Sequence, residues 1–474
     1  MQKLWADQER GLHEPLIHAY AGHYEGRVEE LPPTQPKSSV PVCCLNLACI
    51  ILGAGMFALP AAFSGLGLLC GIAMVAAVAV MTYLSVVVVL RASERSKRLT
   101  YAETLGFVWG RHVAAAVRGS IIVACFMFLV MYLDILCDVT VGGADYSGVI
   151  SDLFPSLPKP LPWYLSRNAM LTWCVLAVTP LLPARTLGGL ARVSAFKVTC
   201  ALLCMAALAL LAAAAALQGK LHHRLLPDPA MYGPGWVKTL TQVMGTVPVV
   251  MTALICQYNI HPLMRDLRNY TPGRMRKVVG VSLAGTALMY AIAGGCGYAV
   301  FGRTVKGDVL ASLNCEVVGD LLGGPKLGLA FVAAIKVAVS LVMLSSFPMV
   351  MFILRADLID GILGVTGGAS MSNKGYYTVT YVTLALIYLA AILVKSAYQM
   401  TGLVGAVCGI AVGFVFPGML AWKGEAGAAW KVFAAVLVVV GITLMGAGIA
   451  APFLERSDGS TGSTLGATVV QGLF

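Results

Sequence analysis

Apolar residues fill blocks of about twenty along most of this chain, the length a helix needs to cross a hydrocarbon core about 30 Å thick. Eleven such runs lie at roughly 42–63, 66–90, 115–140, 168–184, 193–217, 239–262, 278–301, 327–353, 376–396, 400–421 and 430–453. Two of them are broken. Run 1 reads Asn46-Leu47-Ala48-Cys49-Ile50-Ile51-Leu52-Gly53-Ala54-Gly55-Met56-Phe57-Ala58-Leu59-Pro60. Run 6 carries Gly245 and Pro248 ahead of Cys256-Gln257-Tyr258-Asn259-Ile260-His261-Pro262. Bare amides are costly in hydrocarbon, so a break at bilayer depth must face protein or a water-filled cavity. A close-packed Gly-x-Gly helix contact is the alternative for run 1 taken alone. Run 6 follows run 1 by five, the spacing of an inverted repeat of five plus five spans, with run 11 added. The expected fold is therefore all-α and polytopic, with about eleven transmembrane helices and with helices 1 and 6 discontinuous.

Composition fixes the class. Of 474 residues 58% are hydrophobic and 12% charged, with a mean hydropathy of +0.82, too little polar surface for a soluble globule of this size. Arg91, Arg95, Lys97, Arg98 and Arg111 follow run 2, Arg185 and Arg192 follow run 4, and Arg265, Arg268, Arg274, Arg276 and Lys277 follow run 6. Alternate loops are poor in Lys and Arg, which places the basic loops and the N-terminus in the cytosol and the C-terminus outside. The net charge of +11 thus reports topology. Spread over separate loops, it forms no nucleic-acid face. Residues 1–39 read as a disordered cytosolic tail without a signal-type apolar stretch, 40–453 as the transmembrane domain, and 454–474 as a Gly/Ser/Thr-rich tail. His13, His18 and His23 recur every five residues, which stacks no metal site on one helix face. Nearly all of the 13 cysteines fall inside runs, and only Cys315 lies clearly in an outside loop, so no external bridge is expected. Nothing in the chain asks for a cofactor.

The breaks suggest how a zwitterion could be held. Amides near Gly53, Ala54 and Gly55 would form a half-helix N-terminus suited to a carboxylate, and freed carbonyls in both runs would accept from an ammonium. Asn46, Cys256, Gln257 and Asn259 flank or fill the breaks and join them as substrate-site candidates. Run 3 adds Asp134 and Asp138, two carboxylates one turn apart in an otherwise apolar span, suited to a proton carrier or to a cationic side chain. Asp138 could equally be hydrated at the outer mouth. Lys336 could pair with Asp138 or, like Lys197, snorkel to an interface. No span shows a nucleophile with a paired histidine, which excludes a membrane hydrolase, and none shows the sustained polar stripe of a channel.

Four stretches in this order resemble the amino acid/auxin permease family of the amino acid–polyamine–organocation superfamily, over roughly 40–450. They are Asn46 to Pro60; Cys256 to Pro262 leading to Arg265-Asp266-Leu267; Gly297-Tyr298-Ala299-Val300-Phe301-Gly302 leading to Asp308; and Gly402-Leu403-Val404-Gly405-Ala406 leading to Phe416-Pro417. The segment Tyr101 to Gly110 is most similar to protozoan members. The resemblance implies an eleven-span, LeuT-like permease moving amino acids by alternating access, at the plasma membrane or a lysosome- or vacuole-like organelle. In sodium-coupled relatives the ion would need run 1 carbonyls and run 8 hydroxyls, here Ser345 and Ser346, and a second asparagine where this chain has Cys49. A thiol is a poor ligand for a hard cation, which favours H⁺ coupling or exchange over Na⁺. Asp138 matches an acidic position of the family. Asp134 departs from it, which suggests a preference for cationic amino acids. A sensor on the same fold, and a sodium-coupled neutral amino acid transporter, are the alternatives.

Overall fold

The computed structural model describes residues 38–142, 147–158, 161–183, 190–227, 246–305, 309–362, 372–393, 404–425 and 427–457. The three N-terminal histidines, Gly402, Asp308 and nearly all of both tails lie outside them. The described residues are helical apart from loops and two isolated bridges.

Span 1 is two helices, Val40–Ile51 (1a) and Gly55–Leu66 (1b), bent by 61°. Span 2 is Leu68–Ser96, span 3 Arg111–Val141, span 5 Ala191–Leu217 and span 7 Pro272–Phe301. Span 8 is Pro325–Ile362, span 9 Asn373–Leu393 and span 11 Ala428–Ser457. Span 6, Thr246–Asp266, comprises a helix over 246–253 (6a), an unwound stretch, a 3₁₀ turn Gln257–Asn259, and helix Ile260–Asp266 (6b). Its break falls at Leu254–Cys256, beyond the Gly245 and Pro248 that suggested it. Pro248 lies within 6a, and the described helix runs past it without a break until Leu254. Span 10, Gly405–Gly424, contains two π-helical stretches, Gly405–Gly409 and Ala411–Val415. Such stretches often mark functional helices.

Span 4 is shorter than its apolar run. Helix Arg167–Val178 gives way to a 3₁₀ turn, Thr179–Leu181, because Pro180 and Pro183 cannot continue it, and the two together reach only about 24 Å. Among the described residues ten of the eleven expected spans are thus long and apolar enough to cross a membrane, counting the bent pair as one.

The helix contacts follow the two halves. Span 2 packs on span 7, 3 on 8 and 4 on 9, each pair holding matching places in the halves. Span 5 against 8 is mirrored by 10 against 3, and 5 against 7 by 10 against 2. An odd number of spans per half reverses direction, so matching spans run oppositely: this is the five-plus-five inverted repeat. Small residues let the helices approach. A Cβ on Gly297 would lie 2.5 Å from the Pro60 ring and one on Gly294 2.7 Å from Phe63, so span 7 seats 1b on a glycine face.

Between spans 2 and 3 lies a short helix, Tyr101–Trp109, whose Thr100 side chain caps the Glu103 amide at 3.2 Å. On the same face Arg91 and Arg95 each reach Glu425 at 3.2 Å, tying span 2 to the span 10–11 turn. We call this the basic face.

Candidate functional site

Helix 1a ends on carbonyls that its own backbone cannot satisfy, and distant side chains answer them. Lys197 Nζ of span 5 donates to Cys49 O at 2.6 Å, and Tyr290 Oη of span 7 to Ile51 O at 2.6 Å. The Tyr290 hydroxyl also lies 3.3 Å from Ala253 O at the end of 6a, so one side chain bridges both breaks. Lys197 and Tyr290 are fully buried. The snorkelling expected of Lys197 does not occur, because the negative end of helix 1a offers its ammonium a partner inside the protein.

The two glycines of the break do different work. A Cβ on Gly55 would meet Ala253 Cβ at 2.8 Å, so Gly55 is where 1b touches 6a. A Cβ on Gly53 would meet only the Tyr132 hydroxyl, at 3.3 Å, and its own helix end. Gly53 therefore opens toward span 3, where Tyr132 is buried. The amides of Ala54 and Gly55, at the start of 1b, have no backbone partner among the described residues. Donor amides, a phenol and a half-helix N-terminus thus converge where a carboxylate could bind.

Several other candidates are buried among the helices. Gln257 Oε1 accepts from the Cys256 amide at 2.9 Å, while Nε2 donates to Ser85 Oγ at 2.7 Å and Gly413 O at 2.9 Å. Its amide holds the span 6 break to spans 2 and 10. Asn46 is fully buried in 1a. Asn259 is fully buried beside the Tyr258 hydroxyl and makes no hydrogen bond of good geometry among the described residues. Ser346 donates to Val342 O of its own helix at 2.7 Å, and Ser345 is buried beside it.

Asp134 and Asp138 are not vacant either. The Arg167 guanidinium at the start of span 4 hydrogen-bonds both carboxylates, and the Asp134 side chain is 5% exposed against 30% for Asp138. Lys336, a possible partner for Asp138, instead binds Asp152 at 2.6 Å and Ser147 O at 2.6 Å. The short helix Val149–Leu153, between spans 3 and 4, brings Asp152 to it.

Tyr132, Tyr290 and Arg167 were missed by reasoning from the sequence. A hydroxyl in an apolar run was the available signal for both tyrosines. Tyr290→Phe keeps the ring's packing but leaves the carbonyls at Ile51 and Ala253 without their donor, a loss of about 1–3 kcal/mol. Such a variant should inactivate at lower temperature in detergent and transport about tenfold more slowly. Wild-type behaviour in both assays would mean the bridge is dispensable.

A broken span 1 and a broken span 6 clasped in a five-plus-five bundle define a secondary-transporter scaffold. The profile of the family "Transmembrane amino acid transporter protein" matches residues 36–454, and the chain belongs to that family. It is 30% identical to amino acid transporter AVT6A of Arabidopsis thaliana over 388 residues, 80% of each chain. It is 24% identical to vacuolar amino acid transporter 5 of Schizosaccharomyces pombe, over 79% of this chain and 82% of that one. A putative sodium-coupled neutral amino acid transporter 11 of Danio rerio is 22% identical over 90% and 89% of the two chains. Among solved structures, a manganese transporter of Eremococcus coleocola aligns with a TM-score of 0.56 at 10% identity, covering 91% of this chain and 90% of that one, a likeness of fold alone.

Proposed function

We propose that this protein carries amino acids by alternating access, with the substrate's α-carboxylate on the 1b amides and its ammonium on carbonyls of the breaks, coupled to protons or to exchange rather than to sodium. The observation that carries the reading is the pair of breaks held face to face, with Tyr132 over Gly53 and Tyr290 between the half-helices. The coupling preference rests on the carbonyls. A sodium site needs hard oxygen ligands, and here Cys49 O and Ile51 O already serve Lys197 and Tyr290. The vacuolar name of one relative supports an organelle membrane over the plasma membrane. The cationic preference expected from Asp134 loses its basis, because Arg167 already holds that carboxylate. The reading kept is amino acids without a charge preference.

Purified protein in liposomes should exchange or accumulate labelled amino acids from a broad panel. Replacing Na⁺ with choline at fixed pH should leave uptake unchanged, while an inward proton gradient should raise it. Steep sodium dependence would overturn the coupling. Binding without flux would favour the sensor.

A further inference from the structure

His261 sits on 6b at the basic face, only 3% exposed, in a network that fixes where its proton lies. Its Nε2 is 2.7 Å from Ser93 Oγ on span 2 and 3.3 Å from Thr104 Oγ1 on helix Tyr101–Trp109. Each hydroxyl has a carbonyl to donate to, Ser93 to Val89 O at 2.8 Å and Thr104 to Thr100 O at 2.9 Å, and the two oxygens lie 3.4 Å apart, so both are able to accept from the imidazole. Hydrogen on Nδ1 would leave a buried N–H with no acceptor, so the favoured tautomer carries it on Nε2 and leaves a lone pair on Nδ1. That nitrogen is buried with no hydrogen-bond partner among the described residues. Neither coupling nor substrate binding, as derived above, uses it.

The surroundings decide what a second proton would do. Tyr101 stacks on the ring at 6.0 Å between centroids and donates its own proton to Val412 O of span 10. Arg265 is one turn along 6b, and its guanidinium donates to Leu99 O at 2.6 Å. On span 2, Glu94 follows Ser93 and accepts from the Tyr270 hydroxyl at 2.9 Å; on the short helix, Glu103 precedes Thr104. Span 10 offers only the Val412 carbonyl here, already taken by Tyr101. Beyond Arg265 lies Asp357 of span 8, with Arg118 of span 3 also beside it. An imidazolium at 261 would thus be a buried cation one turn from the half-exposed Arg265, its new N–H facing no acceptor. Nearby, 6b is fastened by backbone: Ser38 N donates to Asp266 O at 2.7 Å and Arg268 N to Ser38 O at 2.9 Å.

We propose that the Nδ1 lone pair of His261 is a proton-binding site opened from the basic face, and that a proton taken there from water holds 6b away from span 2 and helix Tyr101–Trp109. Proton binding and separation of 6b are then one equilibrium: the packed arrangement excludes the proton, and the separated one hydrates the imidazolium. The role in flux rests on the transport reading above; the tautomer and its protonation do not.

Solid-state NMR of ¹⁵N-histidine-labelled protein in liposomes tests the site directly, with His261→Gln assigning the signal. Near neutral pH the wild type should show His261 with Nε2 protonated and Nδ1 bare, and acid on the basic face should convert that signal to imidazolium. An Nδ1–H tautomer, or no conversion down to about pH 5, overturns the proposal. In counterflow, changing the pH on the basic face from about 7.5 to 5.5 should alter the wild-type rate about fivefold or more, against less than about 1.5-fold for His261→Gln, whose amide keeps the donor to Ser93. A variant that retains the wild-type pH profile overturns it as well. Should no amino acid be carried at any pH, the transport reading falls and the nitrogen spectrum alone decides the proposal.

Discussion

Gly55→Leu should leave no active transporter, whereas Gly53→Ala should fold normally and bind substrate poorly. Only one of these glycines is a packing residue. At 55 a Cβ lands 2.8 Å from Ala253 Cβ and 3.1 Å from its Cα, so even a methyl group pushes 1b from 6a at the crossing of the two half-helices. A branched side chain adds overpacking of about 1–3 kcal/mol or more, at a contact whose neighbours are backbone and cannot rotate aside. At 53 the nearest atom is the Tyr132 hydroxyl at 3.3 Å, the end of a side chain that can yield by a few tenths of an ångström. A methyl group there fits the protein but fills the space between the break and Tyr132. We expect Gly53→Ala to elute as a monodisperse peak with a thermal midpoint near wild type and about tenfold weaker amino acid affinity. Wild-type affinity in Gly53→Ala would show that substrate does not approach this face, and a well-folded Gly55→Leu would show that the 1b–6a contact can slip.

That contrast marks what the chain's pattern could reveal. Run lengths and two interruptions five spans apart made the order of the spans and the two broken helices legible, because lipid imposes backbone satisfaction and length on every segment. The break in run 1 was legible from Gly53-Ala54-Gly55 alone. The one in run 6 was misplaced toward Pro248, which the described helix carries without a break until Leu254. Which polar residue meets which was not legible. Lys197 and Cys49 lie 148 residues apart, and Tyr290 and Ile51 lie 239 apart; such pairs are set by the folding of one half against the other, which no local pattern encodes. Gln257 illustrates the limit. An amide beside a break is a polar candidate in the sequence, and nothing near it there names the Ser85 hydroxyl or the Gly413 carbonyl as its partners.

Arg167 is the residue whose loss should be most costly outside the breaks. It holds Asp134 and Asp138 together, and without it two carboxylates one helical turn apart face each other, the deeper with a side chain only 5% exposed. Breaking a fully buried pair costs about 3–5 kcal/mol, but Arg167 and Asp138 keep 37% and 30% side-chain exposure, so we expect about 2 kcal/mol for Arg167→Gln. The helix of span 4 is short, and the clamp acts at its first turn, while Thr172 at 2.8 Å from the Tyr388 hydroxyl ties it to span 9 further along. Inactivation should therefore occur at lower temperature, with leucine and arginine uptake falling together. Adding Asp134→Asn should recover most of the loss by removing the buried charge that Arg167 answered. The same pair of variants separates the clamp from a substrate role for Asp134. Were that carboxylate a receptor for cationic side chains, Arg167→Gln would leave it vacant and arginine affinity would rise against leucine, and Asp134→Asn would abolish arginine uptake alone. Equal losses for both substrates, rescued by the second substitution, identify the three residues as the tie between spans 3 and 4.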